Sequence, residues 1–152
     1  MTTNTTADDG DTRRPVVVGV DLSEGSKHAL RWAADLAERL NAGLDVVSAW
    51  MLPAGYGWDA LQLDWDPAAE REQWVTEMVD EVLGTARPVD LNVLVYEAAA
   101  ARLLIELSEQ ALMIVVGSRG LGGFTGLLLG SVSAKVAEHA RCPVLVVHGE
   151  NG

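Results

Sequence analysis

Leu112-Met113-Ile114-Val115-Val116, followed by Gly117-Ser118-Arg119-Gly120-Leu121-Gly122-Gly123-Phe124-Thr125-Gly126-Leu127-Leu128-Leu129-Gly130-Ser131, is the stretch from which the rest of the chain can be read. The apolar run has the composition of a buried strand, and Val132-Ser133-Ala134-Lys135-Val136-Ala137-Glu138-His139 reads as a helix. Glycines ahead of a helix let backbone N–H groups crowd around an anion, because no Cβ blocks the approach. The helix start adds donors without intrahelical partners and the positive end of its dipole. Strand, glycine loop and a helix opening on Gly130-Ser131 therefore read as a phosphate cradle. The plain alternative is a glycine-rich turn that only joins strand to helix.

Two common cradles are excluded by the letters themselves. A Walker loop ends in Gly-Lys-Ser/Thr, but here Leu129 precedes Gly130-Ser131 and no lysine lies between. The dinucleotide fingerprint needs a third glycine where Thr125 stands after Gly120-x-Gly122. What remains is Gly117-x2-Gly120-x9-Gly130-Ser131.

Working outward, Pro15 to Val20 is an apolar run suited to a parallel strand covered on both faces, and Asp21 ends it. Ser23-Glu24-Gly25-Ser26 carries helix-start chemistry. In the helix that follows, Leu30, Ala33, Ala37 and Leu40 share a face, and Asn41-Ala42-Gly43 stops it. Leu44 to Trp50 is the second strand, so the opening segment is a βαβ unit with a right-handed crossover. Asp21 has two readings: a cap for the helix, or a carboxylate facing a cleft. Residues 51–66 form a loop rich in Gly, Pro and Trp. Its tryptophans, with Trp50, either shield a ligand as a lid or pack onto the core. A second helix is expected from Pro67 to about Ala86, with Trp74, Met78 and Val82 facing the sheet. A third strand over Asp90 to Tyr96, suited to an edge, precedes a helix from Ala99 to Gln110 that is apolar at Leu103, Leu104 and Leu107. Strand four is Met113 to Val116, the last helix Ser131 to His139, and strand five Val144 to His148. Alternating strands and helices make an α/β single-domain protein, an open five-stranded parallel sheet with helices on both faces. Ligands of such sheets bind beyond the carboxyl ends of the strands, where the strand order reverses.

The chain has 152 residues, 49% of them hydrophobic, and a formal net charge of −11. That suits one domain, residues 15–148, and predicts no nucleic-acid partner, because such a chain repels polyanions. Residues 1–14 read as a disordered tail without a secretory leader, and 149–152 as a short C-terminal tail. No apolar run is long enough for a membrane span, and with a single cysteine the expected compartment is cytoplasmic. Cys142 reads as a buried structural thiol rather than a nucleophile partnered by His139. His28, His139 and His148 lack metal-ligand spacing, so a metal site is unknown.

The spacing Gly117-x2-Gly120-x9-Gly130-Ser131, flanked by Val115-Val116-Gly117-Ser118-Arg119-Gly120 and by Cys142-Pro143-Val144-Leu145-Val146-Val147, resembles the universal stress protein A family in its ATP-binding branch. Val16-Val17-Val18-Gly19-Val20-Asp21 matches the same pattern. The resemblance covers Pro15 to Val147 and implies an adenine nucleotide alpha hydrolase-like sheet of order 3-2-1-4-5. It implies that Asp21 holds a ribose, that Ala49 meets adenine through its backbone, and that Gly117, Gly120, Gly130, Ser131 and Val132 hold phosphates. Gly19 belongs to that nucleotide set, and Arg119 either reaches a phosphate or stands exposed. The implied ligand is ATP, with Mg or Mn carried through its phosphates, and the implied partner is a second copy paired along the last strand at Val144 and Val146. The expected role is a nucleotide-dependent regulator in a stress response, with at most slow hydrolysis and no dedicated catalytic residues. The alternatives are an ATPase or phosphotransferase using the same cradle, and a dimeric interaction module binding AMP or nothing. The chain departs from the family at Glu97-Ala98-Ala99-Ala100, where Gly-x-Pro is usual after the glutamate, and at Leu112, where an aspartate is usual. On this reading Gly117→Ala or Gly130→Val should weaken nucleotide binding and leave the fold largely intact.

Overall fold

A computed structural model describes residues 13–52, 65–88, 90–119 and 129–149. The expected N-terminal tail up to residue 12, most of the tryptophan loop, Gly120 and the last three residues lie outside these.

The elements follow in the order β1 (Val16–Gly19), α1 (Glu24–Arg39), β2 (Leu44–Trp50), α2 (Pro67–Leu83), β3 (Leu91–Glu97), α3 (Ala100–Leu107), β4 (Met113–Gly117), α4 (Ser131–His139) and β5 (Val144–Val147). The strands form one sheet of order β3-β2-β1-β4-β5, and every pairing is parallel. The anticipated fold is therefore the observed one. β1 and β4 lie side by side, with Val18 opposite Val115, so their carboxyl ends emerge at the same level. From β1 the chain turns to one side through β2 and β3, and later to the other through β4 and β5. The strand order reverses between the two central strands, and a crevice opens there.

Alternation along the strands divides the core. Val16, Val18, Leu44, Val46 and Val115 meet Leu30, Ala33 and Ala37 of α1 and Val75, Met78 and Val79 of α2. Val17, Val47, Ile114 and Val116 face the other way, onto Leu103 and Leu104 of α3 and Val136 of α4. Residues such as Leu30, Leu44 and Ile114 have no exposed surface, and burying each contributes about 1.5–3 kcal/mol.

The helix ends have local causes. Ser23 caps α1 by accepting the Ser26 N–H at 3.1 Å, while the Ser26 hydroxyl donates back to the Ser23 carbonyl at 2.9 Å. At the other end, Asn41 adopts a left-handed φ of 53°. The Ala42 N–H then reaches Ala37 O, and Asn41 N–H reaches Glu38 O, the paired bonds of a Schellman closure. Asp66 caps α2 through the Ala69 N–H, with Pro67 in the first turn.

Four expectations are corrected. α2 stops at Leu83 rather than Ala86, because Gly84 takes φ 56°. α3 stops at Leu107 rather than Gln110: Glu109 and Gln110 N–H bond three residues back, tightening the last turn out of α geometry. Leu40 is the C-cap of α1 and is 48% exposed. Trp74 is also exposed, since at 3.6 residues per turn the series 74, 78, 82 drifts around the helix and the buried stripe begins at Val75. β3, as expected, is an edge strand.

Candidate functional site

A cleft of about 450 Å³ opens at the carboxyl ends of β1, β2 and β4. Its volume is in the range typical of small-molecule sites. Val47, Ala49, Leu103, Leu104, Val116 and Val132 supply an apolar wall, while Asp21, Ser23, Arg119, Gly130 and Ser131 line the polar side. Of the residues expected at a site, Gly19, Asp21, Ala49, Gly117, Arg119, Gly130, Ser131 and Val132 all border this one space. Gly120 is outside the described residues.

On the β1 side the chain turns sharply. Leu22 holds φ 72°, a left-handed conformation costly for a bulky side chain, and the turn brings Asp21 over the cleft. Asp21 Oδ1 accepts the Ser23 N–H at 3.0 Å. Asp21 thus braces the turn into α1 and lines the cleft, but the helix cap is Ser23, which corrects the cap reading of Asp21.

On the β4 side, Gly117 and Arg119 pass directly against the start of α1. A Cβ on Gly117 would lie 2.9 Å from Gly25 O and 3.0 Å from Gly25 C, and a Cβ on Gly25 would lie 2.9 Å from Arg119 O. This corrects the expectation that Gly117→Ala spares the fold. Gly117 is required because two backbones touch there, whatever the cleft holds. Gly19 differs, since its added carbon would crowd the flexible tip of Leu104 at 2.8 Å and otherwise meet Val116 Cγ1 at an ordinary 3.6 Å.

α4 begins where this loop returns. Gly130 N–H donates to Ser118 O at 2.6 Å, and the buried Ser133 hydroxyl donates to Ser118 O at 2.9 Å, so the helix start is tied to the end of β4. The N-cap is Gly130, with φ −76°, no side-chain cap and no acidic residue in the first turn. Among the described residues, no acceptor is bonded to the N–H groups of Ser131, Val132 or Ser133. The positive end of a helix thus faces the cleft with first-turn donors that have no partner among the described residues, the arrangement that suits an anion.

Sequence reasoning overlooked three contributors. Gly25 and Ser133 position the loop and helix as described, and a glycine in the first turn of a helix was the available signal for the first. The third is Arg71, whose Nη2 donates to Ala49 O at 3.1 Å from α2, a contact between elements that no local pattern announces. Cys142 is partly buried rather than buried as expected, and that burial pushes its thiol pKa up, away from the thiolate character of a nucleophile. Among the described residues no cluster of three metal-ligating side chains occurs, and no helix is long and apolar enough to cross a membrane.

The Universal stress protein family profile matches residues 12–148. The chain belongs to this family. A universal stress protein of Mycobacterium tuberculosis is 40% identical over 134 residues, covering 87% of this chain and 44% of that protein. The chain therefore spans less than half the length of that curated relative. Among solved structures, the universal stress protein UspA from Lactobacillus plantarum superposes with a TM-score of 0.72 at 22% identity, covering 89% of this chain and 98% of that one. A universal stress protein solved in complex with cAMP superposes with a TM-score of 0.66 at 28% identity, covering 90% and 98%. Leu112, where an aspartate is usual, is 38% exposed in this universal stress protein fold, and its N–H bonds to Pro15 O at 2.8 Å. Ala99, in the altered segment after Glu97, serves as the α3 N-cap without a side-chain bond.

Proposed function

We propose that this chain binds ATP in the cleft, as a nucleotide-dependent regulator in a stress response with at most slow hydrolysis. The observation that carries the reading is the uncapped start of α4 facing Asp21 across an apolar-walled space. A nucleotide has three matching parts. Its phosphates suit the Ser131, Val132 and Ser133 N–H groups and the Ser131 hydroxyl; its ribose hydroxyls suit the Asp21 carboxylate; its base suits the wall formed by Ala49, Leu103 and Leu104. The family membership and the relative solved with cAMP support the same chemistry. Asp21 is the sole carboxylate among the described lining residues, so Mg or Mn would be held mainly by the phosphates themselves.

Hydrolysis needs a group that orients water and a clamp on the transferred phosphoryl. Asp21 and Arg119 are the only charged residues among the described lining residues, which favours binding over dedicated catalysis. Pairing of two copies along β5 belongs to the same reading. β5 is an edge strand, but Val144 and Val146 pack onto the α3/α4 side of the core, so its backbone rather than those side chains would meet a partner.

The test compares ATP with adenosine by calorimetric titration, after release and mass identification of any co-purified ligand. ATP should bind at least about tenfold more tightly than adenosine, because the helix-terminus donors recognise phosphate. Equal affinities would remove the cradle, and no binding of either would favour an interaction module.

A further inference from the structure

The two edges of the sheet are guarded unequally. β5 offers four residues, whereas β3 offers seven, paired one to one with β2 and without a bulge. Leu44 N–H bonds Asp90 O and Ala98 N–H bonds Trp50 O, so the even-numbered residues of this segment turn their backbone groups toward β2. The N–H and C=O groups of Leu91, Val93, Val95 and Glu97 therefore point away from the sheet. Among the described residues none of them has a backbone partner. Natural sheets blunt such an edge with lysine, proline, a bulge or a very short strand. β3 has none of these. Instead Val93, Leu94, Val95 and Tyr96 follow one another, each only half-buried. Successive side chains alternate between faces, so the open edge is apolar on both.

The border of this edge has a sign. Asp90 and Glu97 stand exposed at its two ends, and no lysine or arginine occurs between them. Arg87, just ahead of the strand, is committed to Asp80 at 2.6 Å and to Gly84 O. α2 packs over β3, and its Glu81 reaches α1 through Lys27. By helical periodicity the exposed Glu72 lies on the opposite flank of α2, toward the open edge. A second copy of this chain suits such a border poorly. Antiparallel pairing of two β3 edges would bring Glu97 of one copy beside Asp90 of the other, on molecules that each carry a formal net charge of −11. The chemistry that matches is basic.

We propose that the open edge of β3 docks an extended segment of another protein, apolar at alternate positions and basic at its ends, as an added strand. The outward backbone groups of Leu91, Val93, Val95 and Glu97 supply the hydrogen bonds. The half-buried side chains of Val93 to Tyr96 gain cover on both faces, and Asp90, Glu97 and Glu72 select the charge of the partner. None of these residues lines the cleft, so the docking site stands independently of the nucleotide reading.

The experiment follows amide hydrogen exchange of the isotopically labelled chain by NMR, with and without a synthetic peptide that alternates threonine and valine between terminal pairs of lysine. In the free chain the N–H groups of Leu91, Val93, Val95 and Glu97 should exchange freely, while those of Asn92, Leu94 and Tyr96 are protected by the ladder. At saturating peptide the outward set should slow at least about tenfold and the inward set change little. A matched peptide with glutamates in place of the lysines should give no protection. Val95→Lys leaves every backbone group in place and adds the charge that guards natural edges, so it should remove most of the slowing while the central strands keep their protection. Outward amides that are already protected in the free chain, or that stay fast with the lysine peptide, overturn the inference. So does equal protection by the glutamate peptide, or undiminished slowing in folded Val95→Lys. Slowing that appears with rising protein concentration alone overturns it in favour of a second copy at this edge. Should Val95→Lys not fold, the comparison of the two peptides on the parent decides.

Discussion

α1 and α4 both begin at the carboxyl edge of the sheet beside a central strand, yet their first turns are finished differently. α1 is closed by its own side chains: Ser23 accepts the Ser26 N–H, Asp21 accepts the Ser23 N–H, and Glu24 adds an acid to the first turn. α4 has a glycine N-cap, no side-chain cap and no acid. One helix start is closed by its own side chains, and the other, among the described residues, has no side-chain cap. The stability of α1 therefore lives in residues that can be deleted one at a time. α4 gives up little by lacking such a cap, since a glycine N-cap is only roughly a few tenths of a kcal/mol weaker than serine or aspartate.

The contrast can be broken most severely where the two regions touch. Gly117→Val should destabilise the protein by about 3 kcal/mol, since its Cβ would enter the backbone of Gly25 and neither segment can move without disturbing a central strand. Thermal unfolding should show a fall of roughly 6–12 °C for a domain of this size. A variant that melts like the parent would show that the contact yields. Ser23→Ala should cost less, about 1 kcal/mol, because it removes the α1 cap alone. Denaturant unfolding would read it as a lower midpoint with an unchanged slope. If stability were unaffected, α1 would not be the self-capped helix described.

Much of the architecture was legible because it is written in local letters. The apolar runs at Val16–Val18 and Ile114–Val116 marked strands buried on both faces, and Ser131 to His139 had the bounds of a helix. Where a single backbone angle decides, pattern was a poorer guide. The left-handed conformation of Gly84 ended α2 before the apolar periodicity did. The site showed the same division. Gly117, Gly130 and Ser131 were visible from spacing, but spacing did not reveal that Gly117 also serves a contact between backbones far apart in sequence. Arg71 gave no signal at all, because its partner is a backbone carbonyl on another element and any residue could have supplied that.

The most direct test of the account places a carboxylate at the start of α4. Ser131 is an exposed first-turn residue, and Ser131→Glu puts negative charge where the helix dipole favours it and an incoming phosphate is repelled. ATP titration and thermal unfolding of parent and variant, side by side, should show ATP affinity reduced at least about tenfold with a melting temperature equal to or above the parent's. Undiminished ATP affinity in the folded variant would mean that the open end of α4 is not where the phosphates are held.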